Sequence, residues 1–368
     1  MNAGLIVIIL LLVLSILGIP IYLALGIGTL VALNMADMPF IVLPQKLFAG
    51  MNSSSLLAIP FFMLAGNIMS RSITGKLIDV SNALIGWIKG SLAVVTVLAS
   101  ALFGAISGSG VATASAVGGT TIPAMKEEGY PDHFAAAISG IAAILGPIIP
   151  PSITLIVYAS ITDLSVSKLF VGSVIPGILM AVGLIIYALF YGKKNDLPAH
   201  ERKSAKEVLL IFKDSIWALL MPVIILGGIF GGIFTPTESA AVAVVYALLV
   251  SLLIYKDIKI KDIPGIFVDG AISTATILLL VGISKSSGYV ITTSGLPHQV
   301  LEVFSSFTNS TVVILLLLNI LFLVIGMLME ANAAIIMMTP ILLPLLDAFG
   351  IDPLQFGIMM SFNLCIGL

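Results

Sequence analysis

The sequence predicts an all-α polytopic membrane protein, built as an inverted repeat with two re-entrant helical hairpins and broken helices. Three observations carry that prediction. The 368 residues are 59% hydrophobic and only 9% charged, with mean hydropathy +1.21, which excludes an ordinary soluble domain. Long apolar stretches are interrupted by Gly, Ser and Pro at SGSG (107–110) and GPIIPPS (146–152), where unpaired backbone in hydrocarbon would cost several kcal/mol per group. Ordered Gly and Pro landmarks also recur between the two halves of the chain. Length here counts spans rather than soluble domains.

Charge and cysteine usage remove several function classes. Net charge is -2 and the charges sit between apolar runs, leaving no footprint for nucleic acid. Cys365 is the single cysteine, so neither an internal disulfide nor a cysteine metal cluster is possible. His133, His200 and His298 are scattered and read as loop or interface residues rather than metal ligands. The sequence carries no HExxH motif, no Walker loop and no nucleophile constellation, which argues against an ATPase or any other enzyme. No Lys or Arg precedes the first apolar run, and no charge occurs before Asp37. A retained first span is expected rather than a cleaved signal peptide.

In chain order, 5–35 is apolar, with Gly18 and Pro20 near its middle. It is one kinked helix or two short ones. A second apolar stretch, 47–69, holds Pro60, Gly66 and Asn67, and 70–90 reads as a polar loop. The limbs 92–106 and 111–125 are each about 15 residues, or about 22 Å at 1.5 Å per residue, too short for a core of roughly 30 Å. They predict a hairpin at about 92–125 that turns at SGSG inside the protein. Residues 134–161 are long enough to cross, but Gly146, Pro147, Pro150 and Pro151 predict two half-helices joined by unwound backbone. A span at 169–191 and a basic soluble segment at 192–214 follow. Spans at 215–234 and 239–255 are separated by TPTE (235–238), and a basic loop at 256–261 leads to a crossing at 271–283. A polar connection at 284–309, a second hairpin at about 311–346, a turn with Asp347 and Asp352, and a segment from Leu354 complete the chain.

With the first hairpin not crossing, every Lys and Arg can be assigned a side. Arg71, Lys76, Lys89, Lys126, Lys193, Lys194, Arg202, Lys203, Lys206, Lys213, Lys256, Lys259 and Lys261 fall inside; Lys46, Lys168 and Lys285 fall outside. This is the positive-inside bias, and it opens the two hairpins toward opposite sides.

The halves align through their landmarks. Pro20 and Pro236 are 216 apart (236 minus 20), as are Gly66 and Gly282; Gly75 and Gly295 are 220 apart, Pro123 and Pro344 are 221 apart, and Pro131 and Pro353 are 222 apart. A slowly drifting offset is what a diverged duplication produces. Entry from opposite sides makes it an inverted repeat, the plan of many secondary transporters. The division expected is a first repeat at 1–168, a connecting span and basic cytoplasmic loop at 169–214, and a second repeat at 215–368. The match to Pro236 favours two short helices at the N-terminus, with Met1 outside. It also places the partner of GPIIPPS near Gly367, so the second repeat is expected to be incomplete at its C-terminal end.

Ser107, Gly108, Ser109 and Gly110 offer hydroxyls and exposed carbonyls at a tight turn, suited to a small hard cation such as sodium. The competing reading is close helix packing by small residues. Ser152 follows the two prolines where freed carbonyls converge; its hydroxyl would complete that shell, and the alternative, a helix N-cap, is compatible with it. Glu330 and Asn332 lie between the limbs of the second hairpin. An intramembrane carboxylate is a functional-site hypothesis by default, and capping of the limb at Ala331 is the alternative. TPTE reads as a structural capping turn.

At these residues the chain resembles the large membrane (M) subunit of TRAP (tripartite ATP-independent periplasmic) transporters. The resemblance rests on LLAIPFFMLAGNIM (56–69), GAISGSGVATASAVG (104–118), GPIIPPSITLIVYA (146–159), GIFTPTESAAVAVVYAL (232–248) and GMLMEANAAIIMMTPILLPL (326–345). It implies an elevator-type ion-transporter fold and sodium-driven import of a small organic anion, such as sialic acid or a C4-dicarboxylate, across the bacterial inner membrane. It implies two partners, a small four-helix membrane subunit (Q type) and a periplasmic substrate-binding protein (P type), with Na+ as coupling ion and no organic cofactor. By position, sodium binding carries over to Ser107, Ser109 and Ser152 with the backbone at Gly108 and Gly146. A second ion or substrate site falls on Gly326, Glu330 and Asn332. A stand-alone sodium/dicarboxylate symporter, needing no binding protein, would share the hairpins and the repeat.

Overall fold

The computed structural model describes residues 2–199 and 201–368. The readings of Met1 as lying outside and of His200 as a loop or interface residue fall outside the described residues. The elements in order are α1 (Ala3–Ile16), α2 (Ile21–Met35), α3 (Val42–Met51), a 3-10 turn (Ser54–Leu57), α4 (Ala58–Ser72), α5 (Thr74–Ile85), α6 (Ser91–Ser107) and α7 (Gly110–Thr113). A π-helical turn (Ala114–Gly118) leads into α8 (Gly119–Glu127), followed by α9 (Asp132–Ala143), α10 (Leu145–Ile148), α11 (Ile153–Thr162), α12 (Val166–Lys194), α13 (Ala205–Phe230) and α14 (Pro236–Leu249). Then come α15 (Ile263–Thr293), α16 (Leu296–Phe307), α17 (Thr311–Leu328), α18 (Ala331–Phe349) and α19 (Pro353–Gly367). Seven stretches of the described chain are helical, long and apolar enough to cross a membrane, and up to eight if the pair Val42–Met51 and Ser54–Ser72, bent by 61°, counts as one.

Packing divides the chain into two compact units, each drawing on both halves of the sequence. One comprises Met1–Leu57, Thr154–Leu169 and Ile272–Leu368; the other comprises Ala58–Ile153 and Phe170–Ala271. In the first, α1 and α2 are separate short helices around Gly18, whose φ of +81° turns the chain at little steric cost. Thr29 Oγ1 and Ser287 Oγ lie 2.6 Å apart in that unit's interior. In the second unit, α6 is buried along almost its whole length, and α9 packs against it beside an aromatic stack in which the Phe134 and Tyr191 rings lie 3.7 Å apart.

Several elements differ from the sequence reading. The stretch 70–90 is not a loop, because α5 buries Leu77, Val80 and Ala83 along one stripe. The expected crossing at 271–283 and the polar connection after it are one helix as far as Thr293. The hydroxyls of Ser287, Thr292 and Thr293 each donate to the carbonyl four residues back, at 3.1, 2.7 and 2.8 Å, so these polar side chains are satisfied without breaking the helix. Lys285, read as part of that connection, is half-buried on the helix and donates from Nζ to the Ser160 carbonyl at 3.1 Å. The 47–69 stretch is bent at residues 52–53. Helix α13 begins inside the segment read as soluble, because Ser204 and Glu207 form a complete capping box there that satisfies its first free N–H groups.

Candidate functional site

The first hairpin meets the broken segment at its tip. Helix α6 ends where Gly108 adopts φ +61°, its N–H bonding the Gly104 carbonyl at 2.9 Å. Ser109 is extended and its hydroxyl accepts from the Ala112 N–H at 3.4 Å, capping the returning limb. On the other side, Ile149 leaves the helix for extended backbone. The Ser152 hydroxyl donates to the Pro147 carbonyl and closes the unwound stretch. The two interruptions touch, with the Ile153 N–H donating to the Gly108 carbonyl at 3.4 Å. A Cβ on Gly108 would stand 2.4 Å from the Pro151 oxygen, and one on Gly104 would stand 2.7 Å from the Gly146 Cα. Both positions therefore need glycine for close approach as well as, at Gly108, for its φ.

Ser107, Gly108, Ser109, Gly146 and Ser152 are thus brought together. Ser107 and Ser152 are buried. Two further residues take part: Thr113, which nothing in the sequence marked, and Gly66, which stood out there only as a repeat landmark. Thr113 is fully buried, its hydroxyl donates to the Ser109 carbonyl at 2.7 Å, and it lies 3.4 Å from Ser107 Oγ. Gly66 of α4 packs against Ser107, where a Cβ would come within 3.1 Å of the serine Cβ. Thr113 was findable as the residue four positions after Ser109, one helical turn along the returning limb. The knot holds hydroxyl and carbonyl oxygens and no ionisable side chain, a neutral set that suits a hard cation. Among the described residues, no group of three or more His, Cys, Asp or Glu comes together to hold a metal.

The base of this hairpin is pinned within the same unit. Gly90 (φ +75°) packs against Gly192, and its N–H donates to the Pro198 carbonyl at 3.0 Å. Lys89 pairs with Asp196. That hydrogen bond and charge hold the exposed Asp196 carboxyl below the usual carboxylate range.

The second hairpin turns differently. Helix α17 ends at Leu328, Met329 is extended (φ -150°), and Glu330 caps α18 by accepting from the Ala333 N–H at 3.1 Å. The Asn332 amide donates to Glu330 at 2.6 Å, while Asn332 Oδ1 is buried without a partner. Glu330 and Asn332 are therefore joined at the tip. Gly326 sits one turn back against α19, where a Cβ would come within 2.5 Å of the Leu364 oxygen and 3.0 Å of the Gly367 Cα. The capping role weighed for Glu330 is present in the geometry. The Thr235 hydroxyl and Glu238 likewise form the capping box expected of TPTE.

Residues 8–368 match the family described as "Tripartite ATP-independent periplasmic transporter, DctM component". The chain is 42% identical to "Uncharacterized protein YgiK" of Salmonella typhimurium, over 95% of this chain and 82% of that one. It is 40% identical to the C4-dicarboxylate TRAP transporter large permease protein DctM of Pseudomonas aeruginosa, over 88% of this chain and 76% of that one. It is also 36% identical to the sialic acid TRAP transporter large permease protein SiaM of Vibrio cholerae, with the same 88% and 76% coverage. These matches disfavour the stand-alone symporter, and they describe a permease rather than an enzyme. The oxygen-lined hairpin tip therefore belongs to a multi-pass membrane protein, and this chain is a member of the TRAP transporter large-permease (DctM) family.

Proposed function

We propose that the protein is the sodium-coupled membrane subunit of a tripartite importer in a bacterial inner membrane. It takes a small organic anion from a periplasmic binding protein and works beside a small Q-type membrane subunit. The substrate class is a carboxylate such as sialic acid or a C4-dicarboxylate, by analogy with the relatives named for those compounds. The single observation that carries sodium coupling is the contact of the two backbone interruptions, Gly108 against Pro151 and Ile153. Broken backbone at membrane depth is tolerated where it lines ion and substrate sites. In this reading Ser107, Gly108, Ser109, Gly146 and Ser152, with Thr113, supply the oxygens for one sodium ion. Gly326, Glu330 and Asn332 contribute to a second ion or substrate site.

An inverted repeat moving in elevator fashion is part of the same proposal. Gly104 against Gly146 and Gly326 against Gly367 are the same kind of glycine crossing, offset by 222 (326 minus 104) and 221 (367 minus 146). An offset of 221 also carries Ser109 onto Glu330, and each caps the returning limb of its hairpin. These pairs support a duplicated plan within two separate units.

The test is uptake of labelled anion by proteoliposomes holding both membrane subunits and the binding protein. Transport is expected to be electrogenic and to require sodium; equal rates with potassium on both sides would overturn the reading. Ser107→Ala and Ser152→Ala should each raise the sodium half-saturation by roughly tenfold to a hundredfold, from the roughly 1.5–3 kcal/mol of a lost bond to a charged group. High sodium should restore part of the rate. Unchanged half-saturation in well-folded variants would leave these serines as packing and capping residues.

A further inference from the structure

Away from the hairpin tip, a cavity of about 570 Å³ opens beside the start of α13. Leu84 and Trp87 form one wall, and Leu209 and Phe212 another. Leu84, Trp87 and Leu209 are exposed, at 48%, 45% and 69%. The remaining charged wall is Arg202 and Lys203, with no carboxylate among the described residues that line the cavity. The Arg202 guanidinium lies over the Trp87 ring, 5.1 Å from its centre, and makes no ion pair among the described residues. Stacking uses the face of the guanidinium and leaves its N–H edges free to donate in pairs to an oxyanion. Lys203 also lies near the capping carboxylate of Glu207, so Arg202 is the less compensated charge. A second cavity of about 340 Å³ in the same unit makes a useful contrast. It holds Lys76 and Lys213 but also Asp214 and Asp257, and so offers no net preference for an anion.

We propose that the larger cavity binds an anionic phospholipid of the cytoplasmic leaflet, its phosphate on Arg202 and Lys203 and its first acyl methylenes on Leu84, Leu209 and Phe212. Three features select this occupant over a soluble anion. The volume lies in the range of ligand pockets, the floor is apolar, and an interfacial tryptophan marks headgroup depth. The positive-inside bias puts this end of the chain on the leaflet rich in anionic lipid. The inference rests on the membrane assignment and is independent of sodium coupling.

The chain has two tryptophans, so Trp217→Phe leaves Trp87 as the sole emitter. The protein is reconstituted in nanodiscs whose lipid carries brominated acyl chains, either phosphatidylglycerol or phosphatidylethanolamine, titrated against unbrominated phosphatidylcholine. Trp87 should be half-quenched at a markedly lower mole fraction of the anionic lipid. At about 1 kcal/mol per basic side chain near the surface, each cation is worth about fivefold in affinity. Arg202→Gln/Lys203→Gln should then lose about twenty-fivefold of the preference, and Arg202→Gln alone about fivefold. Quenching by phosphatidylethanolamine should be unchanged in both variants, which reports that they fold. Lys193→Gln/Lys194→Gln removes the same charge outside the cavity and should keep the preference. Equal quenching by the two lipids, an equal loss in the Lys193/Lys194 control, or no quenching by either lipid would overturn the proposal; the last result would mean that protein covers the cavity.

Discussion

The two hairpins solve one problem with different chemistry. Each must reverse direction, cap its returning limb and let a neighbouring helix approach closely. The first turns on Gly108 in the left-handed region, caps with the neutral Ser109 hydroxyl, and lays its tip against unwound backbone at Pro151. The second turns on extended Met329, a conformation open to any residue, and caps with the Glu330 carboxylate tied to Asn332. A carboxyl cap presents two oxygens where a hydroxyl presents one, here to the Ala333 N–H and the Asn332 amide, but costs more to bury. The difference teaches that the returning limb needs an acceptor at its first N–H groups, whatever residue type supplies it, and that the glycine turn is specific to the hairpin whose tip touches another backbone.

The largest effect expected from breaking this comparison is at Gly108. Gly108→Ala combines left-handed strain of about 1–2 kcal/mol with a clash against the Pro151 oxygen, for which overpacking costs of about 1–3 kcal/mol apply. Gly350, which follows α18, has the same φ of +61° but open space around its Cβ. Gly350→Ala should therefore lose only the strain. Thermal unfolding in detergent, followed by size-exclusion profiles, checks this. Equal losses at the two glycines would mean that the contact at Pro151 carries no weight.

Next in size are the glycine crossings. Gly104→Ala and Gly326→Ala should each cost about 1–3 kcal/mol, and by similar amounts, because each added methyl would meet neighbouring backbone within 2.7 Å. Unequal melting shifts would break the equivalence drawn between the hairpins. The caps come next, with effects equal to the crossings at most. Glu330→Ala should cost about 1–3 kcal/mol, since it also strips the Asn332 amide of its acceptor. Ser109→Ala should cost about 1 kcal/mol. A larger loss at Ser109 would reverse the ranking of carboxyl and hydroxyl caps.

The smallest effect concerns the base of the first hairpin and depends on pH. Asp196 is held below its ordinary range by Lys89. The pair therefore stabilises the fold above the ordinary carboxylate range, and that contribution fades as pH falls through the lowered value. The carboxyl is exposed, so Asp196→Asn should change the melting temperature only slightly near neutral pH. The difference should shrink further in acid and in high salt. A difference that grows as pH falls would contradict the assignment.

Much of the site was legible before any coordinates. SGSG, GPIIPPS and the Glu330 pair stand out because Gly, Pro and a carboxylate are costly inside apolar runs, and each proves to sit at a turn, a break or a cap. Thr113 was silent, and Gly66 stood out only as a repeat landmark, because threonine and glycine are common in membrane helices and only the approach of α4 to Ser107 places Gly66 at the site. The continuity of α15 through its serines was equally hidden. A hydroxyl looks the same in sequence whether it donates to its own helix or ends it.

The sequence by itself determined the membrane class, the two hairpins, the break and the residues at each tip. Those features follow from local rules: apolar length, missing donors at proline, the permissive φ of glycine and the cost of a buried carboxylate. The family resemblance already implied that the Gly108 tip and the Pro151 break share a site; tertiary structure alone decided that Thr113 joins them and that each compact unit takes segments from both halves of the chain. Such pairings depend on contacts between residues far apart in sequence, where apolar helices of nearly uniform composition offer little to distinguish one partner from another.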